Sequence, residues 1–151
     1  MTNSTLQKQI IQAGAAFAGL AVILGAFGSH GLKDVIEPAS LEIYETAVTY
    51  QFYHALALLI IGFGIRRMKE NVARTCFVFF VIGIILFSGS LYLLSTSSIW
   101  AGVKLRWFGA VAPVGGVSFV VGWFYLLFKG YKADTHSRSA DQIKEMHKRK
   151  S

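Results

Sequence analysis

The chain has 151 residues, of which 54% are apolar and only 15% charged, with mean hydropathy +0.50. A soluble domain of this length carries nearer a quarter charged residues, so composition excludes an ordinary water-soluble fold. The net charge of +7 would fit a nucleic-acid binder by value, but its distribution excludes nucleic acid as the partner, as the topology below shows.

Uncharged apolar runs of about 18 or more residues read as membrane spans, because roughly 20 helical residues cross the hydrocarbon core. Four such runs occur, at about 10–28, 47–65, 77–94 and 108–128. Each must be helical, since lipid offers backbone groups no hydrogen-bond partner. The expectation is an all-α, integral-membrane four-helix bundle over residues 1–128 with a basic tail over 129–151.

The first span is rich in small residues. Gly14 with Ala18, Ala15 with Gly19, and Ala21 with Gly25 are small-xxx-small pairs, and Gly28 closes the run. Such pairs let helix backbones approach closely in lipid, which predicts a central first helix contacting neighbours on more than one face. Gly14, Ala18, Gly25 and Gly28 are the expected packing positions. Ala26-Phe27-Gly28 has small residues at a signal-peptidase-like spacing, and cleavage there would leave three spans. The apolar run is long for a signal peptide, however, and Lys8 is the only basic residue before it.

The loop from Ser29 to Tyr44 contains His30, Lys33, Asp34, Glu37, Pro38, Ser40 and Glu42. Ser40 is placed to cap a second helix starting near Leu41. That helix begins polar, with Thr46, Thr49, Tyr50, Gln51, Tyr53 and His54, and ends aliphatic over 55–65. The third span reverses the order: residues 77–87 are apolar, and Ser88, Ser90 and Tyr92 follow. In the fourth, Pro113 suits a kink, and Gly115 and Gly116 suit close approach by a helix or ligand. Trp107, Trp123 and Tyr125 suit interfacial anchoring. In the tail, Ser139-x-x-Gln142 could cap a short charged helix. The single cysteine, Cys76, excludes an intrachain disulfide and reads as a small apolar residue.

Twelve of the fifteen basic residues lie on one side of a four-span topology: Lys8, Arg66, Arg67, Lys69, Arg74 and the seven in the tail. Lys33, Lys104 and Arg106 lie on the other. Positive charge accumulates on the cytoplasmic side, so both termini are expected in the cytoplasm, in a bacterial inner (plasma) membrane. The basic tail is suited to membrane lipids.

This topology places His30, Tyr50, Gln51, His54, Ser88, Ser90 and Tyr92 in the half of the membrane away from the cytoplasm. Buried polar groups in lipid must face protein or water, so a shared polar pocket is expected there. Tyr50 and His54 are four residues apart, and Gln51 and His54 three, which puts them on one helix surface. The inner half lacks the continuous polar path that a pore needs.

Several ordered motifs resemble one family: Gly25-Ala-Phe-Gly-Ser-His-Gly-Leu32, Glu45-Thr-Ala-Val-Thr-Tyr-Gln-Phe-Tyr-His-Ala-Leu-Ala-Leu58, Phe87-Ser-Gly-Ser-Leu-Tyr92, and Ala112-Pro-Val-Gly-Gly116 with Gly122-Trp123. They are similar to the YgdD/YwdK-type small four-span membrane proteins, related to eukaryotic transmembrane protein 256. The family usually has Gly-Ala-His where this chain has Gly28-Ser29-His30. The resemblance covers about residues 13–128 and implies fold and membrane location, but no reaction, ligand or catalytic residue.

Three functional classes remain. One is an accessory or assembly module within a larger membrane complex or homo-oligomer. Another is a small-ligand, lipid or quinone binder, or a small transporter acting as an oligomer. The third is an enzyme. Metal or haem ligation by His54 lacks a partner at i±4 and any His-Glu-x-x-His or Cys-x-x-Cys spacing. Hydrolysis by Ser88 or Ser90 with His54 lacks a Gly-x-Ser-x-Gly elbow. Accessory or binding function is therefore favoured over catalysis, with no cofactor, metal site or catalytic residue assigned.

Overall fold

The computed structural model describes residues 3–103 and 105–130. Four long helices account for nearly all of them: α1 Ser4–Leu32, α2 Pro38–Arg67, α3 Glu70–Ala101 and α4 Arg106–Lys129. Among the described residues there is no strand. Each helix outruns the uncharged stretch that announces it. The apolar run marks only the hydrocarbon, whereas in α1 to α3 about 30 residues at 1.5 Å each match hydrocarbon plus both headgroup layers. The molecule is an all-α four-helix membrane bundle. The basic tail and its Ser139–Gln142 cap fall outside the described residues, as does Lys104.

Short connections make the four helices antiparallel in sequence order. Ser4, Arg67, Glu70 and Lys129 share one end of the bundle, here the terminal end. Leu32, Pro38, Ala101 and Arg106 share the other, the distal end. α2 starts at Pro38 rather than near Leu41. Proline suits the first helical turn, where its missing N–H has no partner to lose. Ser40 consequently lies inside the helix, buried, and makes no cap. At the distal end α3 terminates at Gly102, whose φ of 68° is the left-handed conformation that glycine adopts without strain. The Ser97 hydroxyl receives the Leu105 N–H (3.1 Å) and donates to the Leu94 carbonyl (2.8 Å), pinning the turn into α4.

The central helix is α2, not α1. Along α1 the buried positions Leu6, Ile10, Gly14, Ala21, Gly28 and Leu32 form one stripe, and this stripe packs almost wholly on α2. The small residues of α1 divide on it. Gly14 is buried, and a Cβ there would come within 3.0 Å of the Ala55 carbonyl. Ala18, expected to pack as closely as Gly14, does not: it is only half-buried, at the margin of the stripe. Four residues carry an α-helix about 40° past a full turn, so Ala18 rotates off the line of Gly14, and the buried line passes through Ala21 instead. Gly25 is likewise half-buried, beside Val48, whereas Gly28 is buried. Ala15 and Gly19 face away, and a Cβ on Gly19 would meet nothing. Small residues permit close approach, but their number does not say how many faces are used. α2 is buried toward α1 on one side and α3 on another, and it also reaches α4 through Tyr50 and His54.

α3 and α4 form the second tight pair. Gly83 accepts the Phe119 ring, Gly122 accepts Phe80, and Gly115 sits on the backbone of Phe87. Cys76 is fully buried in this core, its Sγ directed at the Gly122 carbonyl at 3.8 Å. Pro113 does not interrupt the α-helical hydrogen bonds of α4. It occupies the opening turn of the α-helical portion Ala112–Lys129, after a 3-10 stretch over Arg106–Ala110, so no interior hydrogen bond is removed. Gly116 faces Phe87 only loosely, with a Cβ reaching ring atoms at 3.7 Å.

Two π-helical stretches, unannounced by the sequence, interrupt α1 at Gly28–Leu32 and α3 at Ile84–Ser88. In α3 the Gly89 N–H donates to Ile84, five residues back. Buried residues in α3 recur at Val72, Cys76, Phe80, Ile84 and Ser88, four apart throughout. A regular α-helix would rotate such a series off the interface, and a wider i→i+5 turn brings it back.

Candidate functional site: a polar clasp across the helices

Three polar side chains of α2 that face protein, Tyr44, Gln51 and His54, are each held by named partners. Gln51 is buried and uses both ends of its amide. Its Nε2 donates to the Phe17 carbonyl of α1 at 2.9 Å, and its Oε1 accepts from the Tyr92 hydroxyl of α3 at 3.1 Å. One side chain thus ties three helices together. Tyr44, about two turns earlier on α2, donates its hydroxyl to the Leu24 carbonyl at 3.1 Å and meets Tyr92 edge-on, with ring centroids 5.0 Å apart. Gly28 makes room for that ring, since a Cβ there would lie 2.8 Å from Tyr44 Cε1.

His54 turns toward α4. Its Nδ1 lies 2.7 Å from the Tyr50 carbonyl one turn back, and its Nε2 lies 3.1 Å from Trp123 Nε1. The partners assign the tautomer. An indole N–H can only donate and a carbonyl can only accept, so Nε2 is bare and Nδ1 carries the proton. Both nitrogens are engaged, and a second proton would point at the Trp123 N–H. The imidazole also stacks on Phe119, centroids 3.4 Å apart and planes within 12°, with Phe80 at its edge. It is 5% exposed, the only buried Asp, Glu, Lys, Arg or His among the described residues.

The residues expected to share a pocket therefore divide. Gln51 and Tyr92 are joined, and His54 is one turn away on the same helix but bonded to a different neighbour. His54 is bonded to the Tyr50 carbonyl and to Trp123, not to Ser88 or Ser90. Ser90 returns its hydroxyl to the Phe87 carbonyl at 3.0 Å. Tyr50 is 41% exposed, its ring against Phe87, and His30 is exposed in the π-helical end of α1. Tyr44, Phe119 and Trp123 belong to the arrangement although sequence reasoning does not single them out for it. Trp123 is more than an interfacial anchor, and the signal for this is its need to satisfy an indole N–H inside a run of otherwise apolar residues.

Ser88 stands apart. It is fully buried at the end of the π-helical stretch, and its Oγ has no hydrogen-bond partner among the described residues. A buried hydroxyl without a partner costs roughly 1–3 kcal/mol. Ser88→Ala is therefore expected to leave the thermal transition in detergent unchanged or to raise it. A fall of several degrees would show that the hydroxyl makes an interaction important to the fold.

What the clasp can do chemically follows from its bonds. A general base needs a nitrogen or carboxylate free toward a substrate, and His54 offers neither nitrogen in this arrangement. Among the described residues no three His, Cys, Asp or Glu side chains cluster to hold a metal.

Comparison with known proteins identifies the family. Residues 24–116 match the family described as DUF423, protein of unknown function. A UPF0382 membrane protein of Staphylococcus epidermidis is 42% identical over 125 residues, covering 83% of this chain and 97% of the relative. The UPF0382 membrane protein YwdK of Bacillus subtilis is 39% identical over 127 residues, covering 83% and 98% respectively. No solved structure matches the chain. The motifs that resemble YwdK-type proteins include the segments that carry Gly28, Gln51, His54, Tyr92, Gly115 and Trp123, and the matches extend over nearly the whole length of the relatives; this chain belongs to the DUF423/UPF0382 family of membrane proteins.

Proposed function

We propose that this protein is a non-catalytic accessory module that packs against another protein within the membrane, with its terminal end in the cytoplasm. The observation that carries the reading is the engagement of both His54 nitrogens and both ends of the Gln51 amide by the protein itself. The polar groups best suited to a reactive centre hold helices together instead, which leaves a surface as the functional feature. α1 supplies that surface. Only 17% of its most apolar stretch is buried, and Ala15, Ala16 and Gly19 lie exposed on its outward side. Small residues there permit a close helix–helix approach. The excess of basic residues at the terminal end and in the tail supports the orientation.

A photo-crosslinking residue at Gly19, used in native membranes, tests the proposal against the same probe at the exposed Phe128. Gly19 is expected to yield an adduct with a different polypeptide and Phe128 none. Capture at Gly19 of lipid alone, or of this chain alone, would overturn it.

A further inference from the structure

Where α1 and α2 part on the distal half of the bundle, two adjoining cavities open sideways from the protein. They have volumes of about 350 and 330 Å³ and share Gly25, Val48 and Thr49 in their walls. The first is otherwise mostly apolar, bounded by Ala21, Ala26 and Phe52. The second reaches the distal rim at Ser29 and Glu45. At 1.5 Å per residue, the stretch from Glu45 to Tyr53 spans about 12 Å, most of the depth of one leaflet's hydrocarbon. The two cavities form one groove with a polar mouth and an apolar channel, the shape of an amphiphile lying along the bundle.

The geometry points to a phospholipid site with one acyl chain in this groove and an amine-bearing, zwitterionic headgroup, that of phosphatidylethanolamine, at Glu45. Charge selects the headgroup. Among the described residues neither cavity is lined by Lys or Arg, and Glu45 is exposed at the mouth. The rim segment as a whole has Asp34, Glu37, Glu42 and Glu45 against Lys33 alone. An anionic headgroup would meet a carboxylate there with no cation lining the groove. A primary ammonium would pair with Glu45, while Ser29 and Thr49, which line the same cavity, supply hydroxyls for phosphate or ester oxygens. The site lies beside the clasp and uses none of its hydrogen bonds, so it does not rest on the accessory reading.

The test uses the full chain, delipidated in detergent and titrated in native mass spectrometry with phosphatidylethanolamine, phosphatidylglycerol and phosphatidylcholine of identical acyl chains. One phosphatidylethanolamine is expected to bind, about fivefold more tightly than phosphatidylglycerol, the size of effect an exposed charge pair supplies. Glu45→Gln should erase that preference with the thermal transition unchanged. Thr49→Phe, which fills the wall common to both cavities from an exposed position, should remove the bound lipid of either kind. Equal binding of the two lipids by the native chain, preference unaltered in Glu45→Gln, or lipid retained in Thr49→Phe would each overturn the assignment, as would a dimer that excludes lipid.

Discussion

Gly115→Leu is expected to separate α3 from α4 and to cost the largest share of stability of any single substitution on that seam. A Cβ at position 115 would lie 2.8 Å from the Phe87 Cα and closer still to its backbone nitrogen. The obstacle is main chain, which has no rotamer to yield. Overpacking of a well-filled core costs typically 1–3 kcal/mol, and here the only relief is translation of a whole helix, so the upper part of that range or more is expected. Gly116→Ala, one residue on, is the control. Its Cβ would make ordinary contacts at 3.7 Å, and replacing glycine within a helix gains up to about 1 kcal/mol. The fold supplies its own probe for both. Cys76 is the sole cysteine, fully buried between α3 and α4, so a thiol-reactive fluorophore reports the opening of this seam on heating. A much lower labelling temperature for Gly115→Leu, with Gly116→Ala unchanged or higher, is the expected result. Similar temperatures for the two variants would contradict the packing described.

The second large effect separates packing from hydrogen bonding at His54. His54→Ala removes the ring stacked on Phe119 and edged by Phe80, and it leaves a cavity in a tight core. Truncating a buried side chain of comparable size costs about 2–5 kcal/mol. Trp123→Phe removes the indole N–H and keeps an aromatic ring in place. Hydrogen bonds between membrane helices average about 0.6 kcal/mol, so this variant should lose only a small part of what His54→Ala loses. Thermal transitions of the two variants in one detergent give the comparison directly. Equal losses would mean that the bond, not the stacking, carries the interaction.

Some of this is readable from the residues. Four spans follow from length and apolarity alone, because nothing but a helix satisfies its backbone in lipid. That Gln51 and His54 need partners also follows, since polar atoms there cannot be left to hydrocarbon. The identity of the partners does not follow. Gln51 bonds the Phe17 carbonyl, Tyr44 the Leu24 carbonyl and His54 the Tyr50 carbonyl. Every residue has a carbonyl, so a bond to one leaves no mark in sequence. Ser88 and Ser90 are nearer candidates for His54 by side-chain chemistry, yet the packing of α4 puts Trp123 there instead. The same limit explains α1. Its small residues are visible, but whether one faces a helix or open surface depends on where neighbouring helices lie. Gly14 meets α2, Ala18 only borders the contact and Gly19 misses it, although all three read alike as small residues. Pro113 shows the reverse case: its chemistry is plain, but its effect depends on whether the α-helix has already begun.

The intramembrane histidine is a clasp with both nitrogens engaged. Nitrogen-15 NMR of the imidazole at neutral pH, with the His54 signals identified by their loss in His54→Gln, tests it most directly. The expected spectrum is that of a neutral ring with its proton on Nδ1, and an Nε2 resonance that moves when Trp123 is replaced by Phe. A proton on Nε2, or an Nε2 signal indifferent to Trp123, would contradict it and return His54 to the residues available for ligand or substrate.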